Sequence, residues 1–489
     1  MPKNLLVVML LPLVCVAEDL PKLPPETMGL IDQARGAPPE FSADTLLKLA
    51  ASPLVTEPKW KLELADEAFA SGGRAQLPCT YSCLVPVDVI QCQEREGRGL
   101  DALALQTRAV EAVLPLNPQR AVEMFLSIVP PKVEGVACAD PVIPDVSAYY
   151  STANKLFERG FTAAQRKKGD DLRFLETCIA SMTSPAHVRP VLEMLSAAKL
   201  PPQDRTALLS RFAVTLETVS GSDRIFATTQ WAVVPAAFPE TPEPMHLPRP
   251  FLPEIPDANL FVPALRSYVV RQASGSRCSD NITKDKLPLS VTNFNALAAK
   301  LDPEGARFKP ITAEEAKLGK DEGTYKYQLP WHSARAQKVL AEEKWLLHGN
   351  RNLPDAQRFW TLEERTTPEW NARALDFMKL IEGWAEDEES SPEEHFWLVA
   401  QAYSNLAQLT PPGRARDSAM GRYLNFLETR YTSVHSRVLW FVWVRDMLGR
   451  PARSNDAAKD ATEREWVLNS LLRSANPVIA LYARLAPRN

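Results

Sequence analysis

An all-α fold is predicted, an irregular array of short helical hairpins (α-solenoid-like or an α/α superhelix) with little or no β-structure. Three observations predict it. Apolar residues recur at helical spacing through most of the chain. Prolines stand repeatedly just behind residues that cap helices. Strand-like alternation is confined to "IFATTQWAVV" and "TYKYQLPW", and is weak in both.

In chain order, "WKLELADEAF" sets Leu62, Ala65 and Phe69 on one stripe, flanked by Leu64 and Ala68. "LDALALQTRAVEAV" repeats the pattern with Leu103, Leu105, Val110 and Val113. "VRPVLEMLSAAKL", "RTALLSRFAVTLETV", "ARALDFMKLIEGW", "HFWLVAQAYSNLAQL" and "REWVLNSLLRS" continue it. "VLWFVWV" (Val438–Val444) is apolar on every side, as a buried central helix would be. Five of the 42 prolines follow a capping residue: Asn117-Pro118, Ser184-Pro185, Thr367-Pro368, Ser391-Pro392 and Asn476-Pro477. The cap side chain accepts an orphan backbone N–H, and the proline behind it has none to leave unsatisfied. The pairs at 130–131 and 201–202 are expected to close helices. No constant repeat period emerges from the cap positions.

Five segments are expected. Residues 1–17 form a signal peptide, 18–40 a proline-rich linker, 41–234 an N-terminal helical domain, 235–263 a proline-rich connection, and 264–489 a C-terminal helical domain. The signal peptide rests on Lys3, the apolar run from Leu5 to Ala17, and the polar stop Glu18-Asp19, with cleavage after Ala17. Val14 stands where a small residue would precede a lipidated Cys15, which disfavours lipid anchoring. Later apolar runs are too short to cross a bilayer, so no transmembrane segment is expected.

Loss of Cys15 leaves Cys79, Cys83, Cys92, Cys138, Cys178 and Cys278. An even count in an exported chain reads as disulfides. The first three form a cluster of odd number, so at least one must reach outside it or stay free. Zinc is disfavoured because only Cys79 and Cys83 are spaced as paired ligands, and no cofactor is expected. The formal net charge of −4 gives no footprint for nucleic acid, and the basic run "QRKKG" is followed at once by Asp170-Asp171.

The segments "FSADTLLKLAAS", "LADEAFASG", "LDALALQTRAV" and "CADPVIPDVSAYY" resemble a group of exported bacterial all-α proteins of unassigned function. The resemblance covers about residues 40–220. It implies export and helical architecture and carries over no catalytic residue.

Reaction motifs are missing: there is no His-Glu-x-x-His, Gly-x-Ser-x-Gly or phosphate-binding glycine loop. His187 follows a helix cap and His435 stands among apolar neighbours, so both read as structural. The densest acidic stretch is "IEGWAEDEESSPEEHFW". There Glu382, Glu386, Glu393 and Glu394 could supply the two carboxylates of a glycosidase, with Trp384 and Trp397 stacking sugar. Helix capping accounts for most of these acids, since Glu393 and Glu394 would fall in the first turn behind Ser391-Pro392. The remaining tryptophans read as core. Asn281-Ile282-Thr283 matches a glycosylation sequon. The expectation is a secreted or periplasmic helical-array protein that binds a protein or peptide or acts as a scaffold. A carbohydrate-active helical enzyme is the alternative.

Overall fold

The computed structural model describes residues 22–76, 81–83, 99–133, 135–138, 142–226, 233–234, 245–246, 257–275, 277–278, 287–316, 323, 333–348, 360–361, 363–384, 392–431, 434–449 and 457–486. The first helices are α1 Pro25–Arg35, α2 Pro39–Ala51, α3 Pro58–Gly72, α4 Ala102–Val113, α5 Pro118–Ser127, α6 Ser147–Arg159, α7 Ala163–Lys167, α8 Asp170–Ala180, α9 Pro185–Ala197 and α10 Pro202–Leu216. There follow α11 Val262–Ala273, α12 Leu289–Leu301, α13 Ala334–His348, α14 Pro368–Glu382, α15 Pro392–Leu409, α16 Arg414–Thr429, α17 Val434–Gly449, α18 Ala457–Leu472 and α19 Pro477–Leu485. The fold is all-α. Its described β-structure is two minimal antiparallel ladders, β1 Tyr81–Cys83 with β2 Val142–Pro144, and β3 Val233–Val234 with β4 Met245–His246. Of the two strand-like stretches, "TYKYQLPW" lies outside the described residues, and "IFATTQWAVV" is described only at Ile225–Phe226, in a helical turn, and at Val233–Val234, in β3.

Proline and the caps decide where helices begin. Asn117 Oδ1 accepts the Arg120 N–H at 3.0 Å, Ser184 Oγ that of Ala186 at 3.4 Å, and Thr367 Oγ1 that of Trp370 at 3.3 Å. Asn476 Oδ1 accepts from both Val478 and Ile479. Ser391 is outside the described residues, and α15 starts at the proline behind it. The same logic extends to proline pairs. Pro24, Pro38 and Pro201 adopt ψ of 141°, 150° and 150° as N-caps, and the next proline opens the helix. A residue before proline is driven to extended backbone, which is the N-cap conformation. Pro201-Pro202 therefore opens α10, correcting the expectation that it closes a helix. For the same reason the stretch 18–40 is not simply a linker. It holds α1, whose Leu30, Ile31 and Ala34 are buried.

Helices pack on their next and next-but-one neighbours: α2 on α3 and α4, α4 on α5 and α6, α15 on α16 and α17. On α3 the buried face is Trp60, Leu64, Ala65 and Ala68, with Leu62 and Phe69 only partly covered, so the true stripe is rotated from the one read in sequence. On α17, Trp440, Phe441, Val442, Trp443 and Val444 are all buried, as the apolar run requires. No helix among the described residues is long and apolar enough to cross a membrane.

The far end of the chain returns to its beginning: α19 packs on α1 and α2. Phe41 of α2 is fully buried, with its ring centroid 5.5 Å from Trp440, 5.4 Å from Phe441 and 6.3 Å from Tyr482. Beside it the Tyr482 hydroxyl donates to Asp44 at 2.5 Å, and Arg108 and Lys48 pair with the same carboxylate at 2.7 and 2.5 Å. The Lys48 ammonium also lies 4.3 Å from the Tyr482 ring centroid. A single buried apolar cluster runs from Leu30 to Ala483, so the two expected helical domains share their core.

Burial alone would raise the Asp44 carboxyl. The charges of Lys48 and Arg108, with hydrogen bonds from Lys48 and Tyr482, outweigh it and hold the group at about 2 against an ordinary 3.8. A depressed carboxyl stabilises the fold above its unfolded value and loses that contribution as pH falls through its folded value. Asp44 thus supplies roughly 2 kcal/mol at neutral pH, lost between about pH 4 and pH 2. Tyr482→Phe, which removes one charge-assisted bond, is expected to cost about 1–3 kcal/mol in urea denaturation. Phe41→Ala should cost about 3–5 kcal/mol. Wild-type stability in Tyr482→Phe would show that the Tyr482–Asp44 hydrogen bond contributes nothing.

Candidate functional site

The acidic stretch nominated by sequence is described only in part. Glu382, at the end of α14, forms an ion pair with Arg422 of α16. Glu386 lies outside the described residues, as do the side chains of Glu393 and Glu394, whose backbone makes the first turn of α15. Trp384 and Trp397 are each only 5% exposed. The His395 ring meets Trp384 edge-on at 4.9 Å, and its Nε2–H donates to the Trp384 carbonyl at 3.1 Å. Trp397 packs on Trp443 at 4.8 Å. Both tryptophans are core residues with no face for a ligand. Helical spacing from Trp397 to the apolar face of α15 accounts for its burial.

His187 sits in the first turn of α9 but faces inward and is fully buried. Its Nδ1 is 2.8 Å from the Tyr150 hydroxyl, and burial pushes its pKa down to about 4. Cys178, on the inward face of α8, is a free, buried thiol pushed up to about 12 by burial. A thiol so protonated is no nucleophile at neutral pH. The group is packing, and Cys178 is corrected from disulfide partner to core residue. The side chain of His435 lies outside the described residues.

Among the described residues a disulfide joins Cys138 to Cys278, with Cα atoms 5.3 Å apart and a sequence separation of 140. Cys79 and Cys92 are outside the described residues, and of Cys83 only the backbone, in β1, is described. Around the crosslink the backbone is pinned by side chains. Asp223, buried, accepts the Cys278 N–H at 2.7 Å, and the buried Arg224 guanidinium donates to the Cys138 carbonyl. Ser222 Oγ accepts the Val136 N–H at 3.3 Å, and Arg271 Nη2 donates to the Leu216 and Val219 carbonyls at 2.6 and 3.2 Å. A cleft of about 280 Å³ opens here, lined by Val136, Cys138, Ser220, Gly221, Ser222, Asp223, Arg271, Gln272 and Gly275. Gly221 is required: a Cβ there would stand 2.6 Å from Pro185 Cδ, at the start of α9. This cleft offers hydroxyls, a carboxylate, an amide and a guanidinium on covalently tied walls.

A second, wider concavity of about 690 Å³ lies between α16 and α18. Thr462, Trp466, Asn469 and Arg473 recur at spacings of four, three and four, which aligns them along one side of α18 and its C-terminal end. Glu465, Leu472 and Asp417 of α16 complete the lining. In sequence "REWVLNSLLRS" reads by its apolar face, which hides this stripe. The signal available was a tryptophan in register with an amide and a cation.

One more buried ionisable group joins α13 to α15. Glu343 accepts from Gln401 Nε2 at 3.1 Å and Asn405 Nδ2 at 2.6 Å, and burial raises its carboxyl above 4.5 despite these bonds. Among the described residues no group of three His, Cys, Asp or Glu is placed to hold a metal ion. No protein-family model matches this chain, and no curated protein sequence does.

A raised carboxyl favours the protonated fold, so its contribution is complete below the unfolded pKa and is lost as pH rises through the folded value. Glu343→Gln should therefore melt higher than wild type at about pH 8 and close to it at about pH 4. Equal melting at both would show that the carboxylate carries no burial cost. For the cysteines, peptide mapping of the oxidised chain should recover a Cys138–Cys278 crosslink, with Cys178 alkylated only after denaturation. A crosslinked peptide containing Cys178 would contradict this arrangement.

Proposed function

We propose that the protein is an exported helical scaffold that binds a protein or peptide partner at the cleft built on the Cys138–Cys278 crosslink. The observation that carries this reading is the crosslink's position. It joins the segment before β2 to the segment after α11, and Asp223, Arg224 and Ser222 hold the backbone on both sides of the cleft. A disulfide persists in an oxidising compartment, which agrees with the signal-peptide-like start of the chain. Closing a loop of this length removes about 5 kcal/mol of unfolded-chain entropy in the chain-entropy treatment. Preorganised walls lower the ordering cost of binding. Ser220, Ser222 and Gln272 suit the alternating donors and acceptors of an extended peptide backbone, while Asp223 and Arg271 can each meet a charged group.

The test is a crosslinking pull-down with the chain from Glu18 as bait, run beside Ser220→Tyr. Ser220 is exposed on the cleft wall, so the larger side chain fills the cleft without touching the core. A partner recovered near stoichiometry by wild type and lost with Ser220→Tyr is the expected result. Equal recovery by both would remove the cleft from the interface, and recovery of background alone would remove the scaffold reading.

A further inference from the structure

The groove between α16 and α18 has the construction of a stacking platform. Trp466 is held from two directions: its indole N–H donates to Asp417 Oδ1 at 2.8 Å, and the Arg416 guanidinium lies 3.9 Å from its ring centroid. Arg416 is itself immobilised. Its side chain is 8% exposed, its Nε–H donates to the Ala407 carbonyl at 2.9 Å, and it pairs with Glu463. Trp466 lines the groove, whereas Arg416, packed against its ring, does not. Around this partly exposed ring stand the exposed side chains of Asp417, Glu465, Asn469 and Arg473.

We propose that this groove binds a neutral saccharide, one pyranose ring stacking on Trp466 with its hydroxyls directed to Asp417, Glu465, Asn469 and Arg473. A pyranose has an apolar C–H face and a rim of hydroxyls that both donate and accept. It therefore needs one flat apolar surface ringed by carboxylate, amide and guanidinium groups, which is the arrangement present. The width and open form of the groove suit a chain of sugars passing along it. Two carboxylates against one lining guanidinium disfavour an anionic polymer. Because the indole is already oriented, stacking requires little further loss of side-chain freedom. The site shares no residue with the acidic stretch at 382–394 or with the crosslink cleft.

The test is isothermal titration calorimetry of the disulfide-bonded chain from Glu18 with cellohexaose, chitohexaose and maltohexaose. At least one should bind, and Trp466→Ala should weaken it by about tenfold or more. Trp466→Phe should retain part of the affinity, because a smaller ring still stacks. Asn469→Ala and Glu465→Gln change only exposed side chains, so each should weaken binding severalfold in a protein that folds as wild type does. They decide the matter if Trp466→Ala fails to fold. Ser220→Tyr should bind the sugar as wild type does, which separates this site from the crosslink cleft. No binding of any of the three sugars, or binding unchanged in the Trp466, Asn469 and Glu465 variants, would overturn the proposal.

Discussion

The contact on which the arrangement depends is the meeting of α2 with α17 and α19. Phe41 is an aromatic hub there, and Asp44, three residues on and so on the same side of α2, is the polar one. The apolar part supplies most of the energy and the polar part supplies register. A buried carboxylate is tolerated only where its partners are in place. Lys48 and Arg108 come from the N-terminal helices and Tyr482 from the last one. The pairing therefore selects one placement of α19 against α2, and with it the shared core of both halves.

The Cys138–Cys278 crosslink acts in the same sense between segments far apart in sequence, but it works on the unfolded chain rather than by burial. Its surroundings show how a bridge becomes a surface feature. Charged side chains that would be costly to bury alone are spent on backbone groups next to the two cysteines, and a polar cleft is left between the segments they tie. The groove at Trp466 is built differently. A buried arginine under the ring and a carboxylate at its edge orient a tryptophan that would otherwise turn freely at the surface.

Tryptophans illustrate why function was harder to read than fold. Trp384 and Trp397 lie amid carboxylates in sequence and in the core in space, because Glu382, Glu393 and Glu394 stand at helix ends while the rings are turned inward. Trp466 lies in a segment that reads as one more amphipathic helix, yet its ring reaches the surface. A hydrophobic stripe says which side of a helix is buried only once its neighbours are placed. The rotation of the α3 stripe toward Leu64 and Ala68 is the same effect on a smaller scale.

The sequence by itself determined the helical class and the helix starts behind its cap–proline pairs, because capping and proline effects act within one turn and need no partner. It also located the apolar runs that become core, Val438–Val444 foremost. Only the tertiary structure decided that Cys138 pairs with Cys278, that Cys178 is buried unpaired, that the last described helix closes on the first two, and that Trp466 lines a surface groove. Those outcomes depend on distances between residues remote in the chain, and local physical chemistry is silent about such distances.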